Sequence, residues 1–202
     1  QPRPQQQPVF MDKVLNGLPA LKFDGQSYLS ADELAYSIRG NSSLTVISVA
    51  RTDISAKQYI WSMHETDRTT DVARLGFMDH GQLAAKAGKR APQADWYSGS
   101  MASGDFAIYS FVLEPVPNAI QAHLSVFRNG VNVMDFMTID PPRFAQAGTF
   151  SLGQEYDDGR PTDFLKGDIA EVLVIGKSLN GEERGKIEQV LSKKYYIRLD
   201  SR

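Results

Sequence analysis

Cysteine is absent from this sequence. Disulfides, thiolate metal sites and cysteine nucleophiles are therefore excluded together, while the compartment stays open. A basic excess is also missing. Lys and Arg total 22 against 24 Asp and Glu, a net charge of −2. That balance argues against a protein tracking a nucleic-acid backbone, which needs a cationic surplus. No apolar run approaches the roughly 20 residues of a membrane helix, so membrane insertion is not expected. Histidine is scarce, with only three in the chain. Glycine-rich phosphate loops, H-E-x-x-H and G-x-S-x-G are not found, which removes the commonest nucleotide, zincin and hydrolase signatures. What remains is a 202-residue chain that is 42% apolar and 23% charged. Those values suit one globular domain able to bury about 70% of its unfolded surface.

The first eight residues, QPRPQQQP, hold three prolines and four glutamines. Such a stretch has little apolar area to bury, so residues 1–15 read as an extended arm or linker remnant and 16–202 as the folded domain. The polar, abrupt start suggests a processed chain whose export signal has been removed, and hence a secreted or extracellular location.

Beyond the arm, β-branched and aromatic runs dominate. Leu44–Arg51, Tyr59–His64, Arg74–Met78, Gln82–Lys86, Asp105–Leu113, Ala122–Arg128, Val131–Phe136, Phe150–Gln154 and Ile169–Ile175 all have strand length and composition. Asn129-Gly130 between two alternating runs predicts a tight hairpin, and Asp79-His80-Gly81 predicts another turn. Only the C-terminal region is helical in pattern. Asn180 is placed to cap it with Glu183 three residues on, and Ile187, Val190, Leu191 and Tyr195 form an apolar stripe. About ten short strands and one helix predict an all-β, two-sheet antiparallel sandwich.

Four stretches carry a family resemblance. They are Asn16-Gly17-Leu18-Pro19-Ala20-Leu21-Lys22-Phe23-Asp24-Gly25, the strand Leu44–Arg51, Phe127-Arg128-Asn129-Gly130, and Ser151-Leu152-Gly153 followed by Phe164-Leu165-Lys166-Gly167-Asp168-Ile169-Ala170-Glu171-Val172. In this order and spacing they resemble the concanavalin A-like lectin/glucanase superfamily in its laminin-G-like form. The resemblance spans Asn16 to Ile197. It implies a jelly-roll sandwich closed by a C-terminal α-helix. Carbohydrate binding is the first implied function, followed by glycan cleavage, adhesion or virion-surface roles.

Catalytic patterns are thin. A retaining glycosidase needs two carboxylates about 5.5 Å apart on one face. Glu65-Thr66-Asp67 lies in a polar stretch, and Asp168 and Glu171 fall three apart, on opposite faces of a strand. The resemblance to alginate-lyase relatives offers Gln121-Ala122-His123, whose outer two residues share a strand face, without the tyrosine-lysine partner strand.

Binding candidates are better represented. Flat aromatic faces with polar neighbours suit sugars. Trp96, Tyr97 and Tyr156 are the candidate platforms, with Asp95, His80, Asp157 and Arg160 as hydroxyl partners. Trp61, between Ile60 and Met63, is expected in the core. Asp157, Asp158 and Asp163 concentrate carboxylates in one loop, the oxygen chemistry that calcium takes, and the resemblance places calcium at the sandwich rim. The expected function is thus a non-catalytic carbohydrate-binding or surface-recognition module of an exported protein. The alternatives are a polysaccharide lyase or hydrolase using Gln121 and His123, and a structural or adhesive protein with a protein partner.

Overall fold

The computed structural model describes residues 3–32, 34, 43–52, 56–65, 71–89, 96–101, 103–139, 141–142, 148–157 and 160–200, with the backbone alone at 65, 71, 89, 96, 100, 101, 139 and 157. Two antiparallel sheets face one another across the main core. The seven-stranded sheet runs β1 (Val9–Leu15), β2 (Leu18–Asp24), β15 (Lys166–Ile175), β4 (Leu44–Thr52), β9 (Ala107–Pro115), β10 (Gln121–Arg128) and β11 (Val131–Ile139). The six-stranded sheet runs β3 (Leu29–Ala31), β12 (Gly148–Leu152), β5 (Gln58–Glu65), β6 (Asp71–Phe77), β7 (Gln82–Lys89) and β8 (Trp96–Met101). A short hairpin, β13 (Glu155–Asp157) with β14 (Arg160–Thr162), stands apart from both. Helix α1 (Gly181–Tyr195) follows β15. This is the two-sheet antiparallel sandwich that the sequence pattern predicts, in the jelly-roll form with a C-terminal helix that the resemblance implies.

Strand β4 shows why its sequence reads as an unbroken apolar run. Leu44, Val46 and Ala50 point between the sheets, while Ile47 and Val49 point outward beneath the helix with Ile108, Leu191, Tyr195 and Ile197. Both faces are covered, so neither needs polar residues. Trp61 is fully buried, edge-on to Phe111 at 5.0 Å and stacked with Phe150 at 6.1 Å, as expected of a core residue. Asn129 and Gly130 both take positive φ (48° and 86°), the geometry of a two-residue hairpin turn.

The helix starts as its capping residues predict. Asn180 Oδ1 accepts from the amides of Glu182 and Glu183 at 3.0 and 2.9 Å, and the Asn180 amide donates back to Glu183 Oε2 at 3.1 Å. Its buried stripe differs from the expected one. Val190 is exposed, and the buried positions are Arg184, Glu188, Leu191 and Tyr195. Arg184 and Glu188 can face the sheet because they satisfy each other, at 2.5 Å, and because Ser110 Oγ donates to Glu188 Oε1 at 2.7 Å. The Arg184 guanidinium also lies 3.4 Å over the Phe127 ring.

Two further differences matter. The segment read as an extended arm over 1–15 contains β1, which pairs with β2 through the positive-φ turn Asn16-Gly17. Backbone pairing, not apolar burial, holds it: Val9, Phe10 and Met11 remain exposed on the edge strand. Trp96-Tyr97, read as loop-like, lies in β8 at the edge of the six-stranded sheet.

Candidate functional site

Alternation along the six-stranded sheet sends Trp61, Met63, Ala73, Leu75, Leu83 and Ala85 into the core. The residues between them face outward. Register then assembles two rows. In one, Ser151 lies opposite Ser62, Ser62 opposite Arg74, and Arg74 opposite Lys86. In the other, Tyr59 lies opposite Gly76, Gly76 opposite Ala84, and Ala84 opposite Tyr97. A cationic, hydroxyl-bearing row therefore runs beside one whose middle is two very small residues with a tyrosine at each end.

An outward face of an antiparallel sheet normally carries its polar residues into water. Here Arg74 is only 7% exposed and Lys86 only 2%. Such residues are seldom buried without partners, and Arg74 finds one above the sheet. Arg74 Nη1 donates to Glu155 Oε2 on β13, the strand that packs against β5. Lys57 Nζ lies 3.7 Å from Glu155 and 2.5 Å from Asp163. The Arg74 guanidinium sits 4.8 Å over the Tyr59 ring, and Lys57 Nζ 5.6 Å from the same ring.

Tyr59 reaches this position through an irregularity. A bulge between Tyr59 and Trp61 re-aims the tyrosine outward, away from the Ile60 and Trp61 side chains in the core. Gly76 permits the close approach, since a Cβ there would fall 2.2 Å from the Gln58 carbonyl and 2.7 Å from Tyr59 Cδ1. Beside this pair, Ser62 Oγ donates to the Gln154 carbonyl at 2.8 Å. The Gln154 side-chain amide and Ser151 Oγ are buried, with no hydrogen-bond partner among the described residues. Each such orphan costs about 1–3 kcal/mol, so this face holds unused hydrogen-bonding capacity.

The sequence-predicted residues distribute unevenly around this face. Tyr97 is on it and 46% exposed, an open ring at its edge. Trp96 is in the same strand, but its ring lies outside the described residues, as do Asp95 and Asp158. His80 sits in the turn after β6 with φ of 70°, exposed and off the sheet. Tyr156 is not an open platform: it is buried, edge-on to His64 at 5.5 Å, because β13 packs its ring down onto β5. Arg160 is exposed, paired opposite Asp157 in the β13–β14 hairpin.

Of the three candidate calcium ligands, only the Asp163 side chain is described, and Lys57 neutralises it at 2.5 Å. Among the described residues, no group of three or more His, Asp or Glu side chains could hold a metal. The Asp157 side chain and Asp158 lie outside the described residues. Gln121 and His123 do share a face, but it is the open outer face of the seven-stranded sheet, since Ala122, Leu124 and Val126 take the core side. His123 is about half-exposed, with Nδ1 3.8 Å from Asp135 Oδ1. Arg74, Lys86, Tyr59 and Glu155 were not singled out by sequence. Their only trace there is an arginine and a lysine at outward positions of adjacent strands.

No protein-family model matches the chain, and no curated protein matches it in sequence. Solved structures do. The CBM40 module of the Ruminococcus gnavus IT-sialidase, bound to α2,3-sialyllactose, superposes with a TM-score of 0.67 at 11% identity, over 90% of this chain and 97% of that one. The NanB sialidase of Streptococcus pneumoniae gives 0.64 at 14% identity over 82% of this chain, which spans only 26% of the sialidase. A heptameric SAP-like pentraxin from Limulus polyphemus gives 0.59 at 15% identity, over 90% and 83% of the two chains. At such identities the likeness is one of fold: the chain has the lectin-like β-sandwich architecture of these proteins.

Proposed function

We propose that the chain is a non-catalytic carbohydrate-binding module whose ligand face is the outer face of the six-stranded sheet, and that it takes an acidic sugar. The observation that carries this reading is the in-register row of Ser62, Arg74 and Lys86 beside the row of Tyr59, Gly76, Ala84 and Tyr97. A guanidinium held by Glu155 and by the Tyr59 ring is pre-oriented, and Glu155 hydrogen-bonds to Nη1. An arginine carries five donors in a fixed fork, the geometry that recognises carboxylates. Tyr97, open at the edge of this face, offers the ring against which a sugar can lie. Sialyllactose in the CBM40 structure of similar fold supports the choice of an acidic sugar. On this reading the chain is a laminin-G-like recognition unit of an exported, glycan-facing protein.

A glycan array followed by calorimetry tests the proposal. Saturable binding of α2,3-sialyllactose but not of lactose is expected. Arg74→Lys should weaken it about tenfold or more, the order of one charge-assisted hydrogen bond. An array without a single saturable hit would overturn the reading. Binding that persists unchanged in Arg74→Lys would move the ligand elsewhere on the sandwich.

A further inference from the structure

The cationic row of the proposed sugar face is covered in this structure. Ser62 Oγ donates to the Gln154 carbonyl at 2.8 Å, and Glu155 holds Arg74. The two side chains of that ion pair are only 9% and 1% exposed, so a sugar carboxylate has no path to the guanidinium while the hairpin lies there. The group in its way is itself a carboxylate. The chain therefore already offers Arg74 the chemistry that an acidic sugar would bring.

The hairpin is built to move as a unit. Gly153, with φ of 78°, precedes it and Asp163, with φ of 48°, follows it. The Leu165 amide donates to the Gly153 carbonyl at 2.9 Å, so the two ends of the segment meet. Between them β13 and β14 pair with each other and, among the described residues, with neither sheet. A segment with closed ends and internal pairing can lift without unravelling. Three contacts hold it down: Glu155 on Arg74, Lys57 Nζ 2.5 Å from Asp163, and the Tyr156 ring edge-on to His64 at 5.5 Å. Against them stand the Gln154 side-chain amide and Ser151 Oγ, which are buried without hydrogen-bond partners among the described residues. Opening to water would satisfy both, which lowers the cost of lifting.

We infer that the β13–β14 hairpin is a strap that closes the sugar face, with Glu155 as a built-in stand-in for the ligand's carboxylate. The inference rests on the sugar-binding reading and adds its regulation: the ligand binds only the lifted state. Apparent affinity then equals intrinsic affinity multiplied by the lifted fraction. Whatever raises that fraction raises affinity by the same factor.

Hydrogen exchange of the whole chain, read at the Tyr59 amide, provides the test. This amide donates to the Asp163 carbonyl at 3.1 Å across the base of the strap and is bared when the strap lifts. Asp163→Asn keeps a side chain that tolerates positive φ and removes the ion pair with Lys57. Exchange at Tyr59 should quicken by up to about fivefold, the order of one partly exposed ion pair, and calorimetric affinity for α2,3-sialyllactose should rise by the same factor. Saturating sialyllactose should also quicken Tyr59 exchange in the wild type. Protection of Tyr59 by the sugar, or faster exchange in Asp163→Asn with unchanged affinity, would overturn the strap and leave the sugar reading standing. Sodium acetate, at ionic strength matched with chloride, tests the stand-in without a sugar: it should raise the Tm of Glu155→Ala saturably and leave the wild type unmoved. That result with no glycan bound would support Glu155 as a carboxylate stand-in and strike only the sugar. Equal responses of both proteins to acetate would overturn the stand-in.

Discussion

Arg74 on β6 and Glu155 on β13 form an ion pair that holds a hairpin over the outer face of the six-stranded sheet. Both side chains are nearly excluded from water, so each is the other's principal compensation for lost hydration. The pair has two roles that can be separated. It fastens the hairpin, and it orients the guanidinium proposed to meet a sugar carboxylate.

Glu155→Gln should therefore show opposite effects in two measurements. Removing one member of a buried pair costs about 3–5 kcal/mol, because the remaining charge is stranded. For a domain of this size each kcal/mol lowers Tm by about 2–4 °C, so thermal unfolding should begin roughly 10 °C earlier. Affinity for sialyllactose should hold or rise, since its carboxylate can fill the vacated place beside Arg74. A fall in both stability and affinity would mean that orientation of the guanidinium by Glu155 outweighs its competition with the sugar carboxylate.

The helix carries a second buried pair. Arg184 and Glu188 are joined at 2.5 Å, with Ser110 and Phe127 completing their surroundings. Arg184→Ala should cost about 3–5 kcal/mol. The double change Arg184→Met/Glu188→Leu should recover most of that loss, because two apolar side chains leave no charge unpaired. Denaturant melts of the wild type and these two variants provide the check. A double variant no better than Arg184→Ala would mean that the polar contacts themselves hold the helix down.

Much of this architecture is legible in the sequence because it is written locally. Leu44–Arg51 shows a strand covered on both faces, Asn129-Gly130 shows a turn, and Asn180 with Glu183 shows where a helix begins. Trp61 is legible as core from its apolar neighbours. The edge strand β1 is not, because Phe10 and Met11 are exposed and only backbone pairing recruits them. Arg74 and Lys86 are hidden for a different reason. An outward-facing cation on a strand reads as solvated, and the packing of β13 against β5, with Glu155 on Arg74, is visible only in the fold. Tyr156 is the mirror case: its acidic neighbours suggest a rim position, but the same packing turns its ring down onto His64.

Acid should loosen the start of the helix. The Lys177 ammonium bonded to Glu183, and next the Asn180 amide, hold its carboxyl below the usual glutamate range. A carboxylate whose folded pKa is depressed contributes stability above its unfolded pKa and loses it as pH falls through the folded value. Carbon-detected NMR should find Glu183 titrating below free glutamate, and Lys177→Gln should move its midpoint upward. An unmoved midpoint would mean that Lys177 does not set it.

The two tyrosines that end the Gly76–Ala84 row should behave unlike each other. Tyr97 is open on one side, so Tyr97→Ala should change stability by no more than about 0.5 kcal/mol. It should still weaken sugar binding about two- to tenfold, the order of one lost aromatic contact. Tyr59 is fully buried beneath Arg74 and Lys57, so Tyr59→Ala should destabilise by about 3–5 kcal/mol through the cavity it leaves. Tyr59→Phe keeps the ring under the guanidinium, so it should bind like the wild type. Paired melts and calorimetric titrations of the three variants separate contact from scaffold. Unchanged affinity in Tyr97→Ala would take the exposed ring out of the site and leave the cationic row as its whole content.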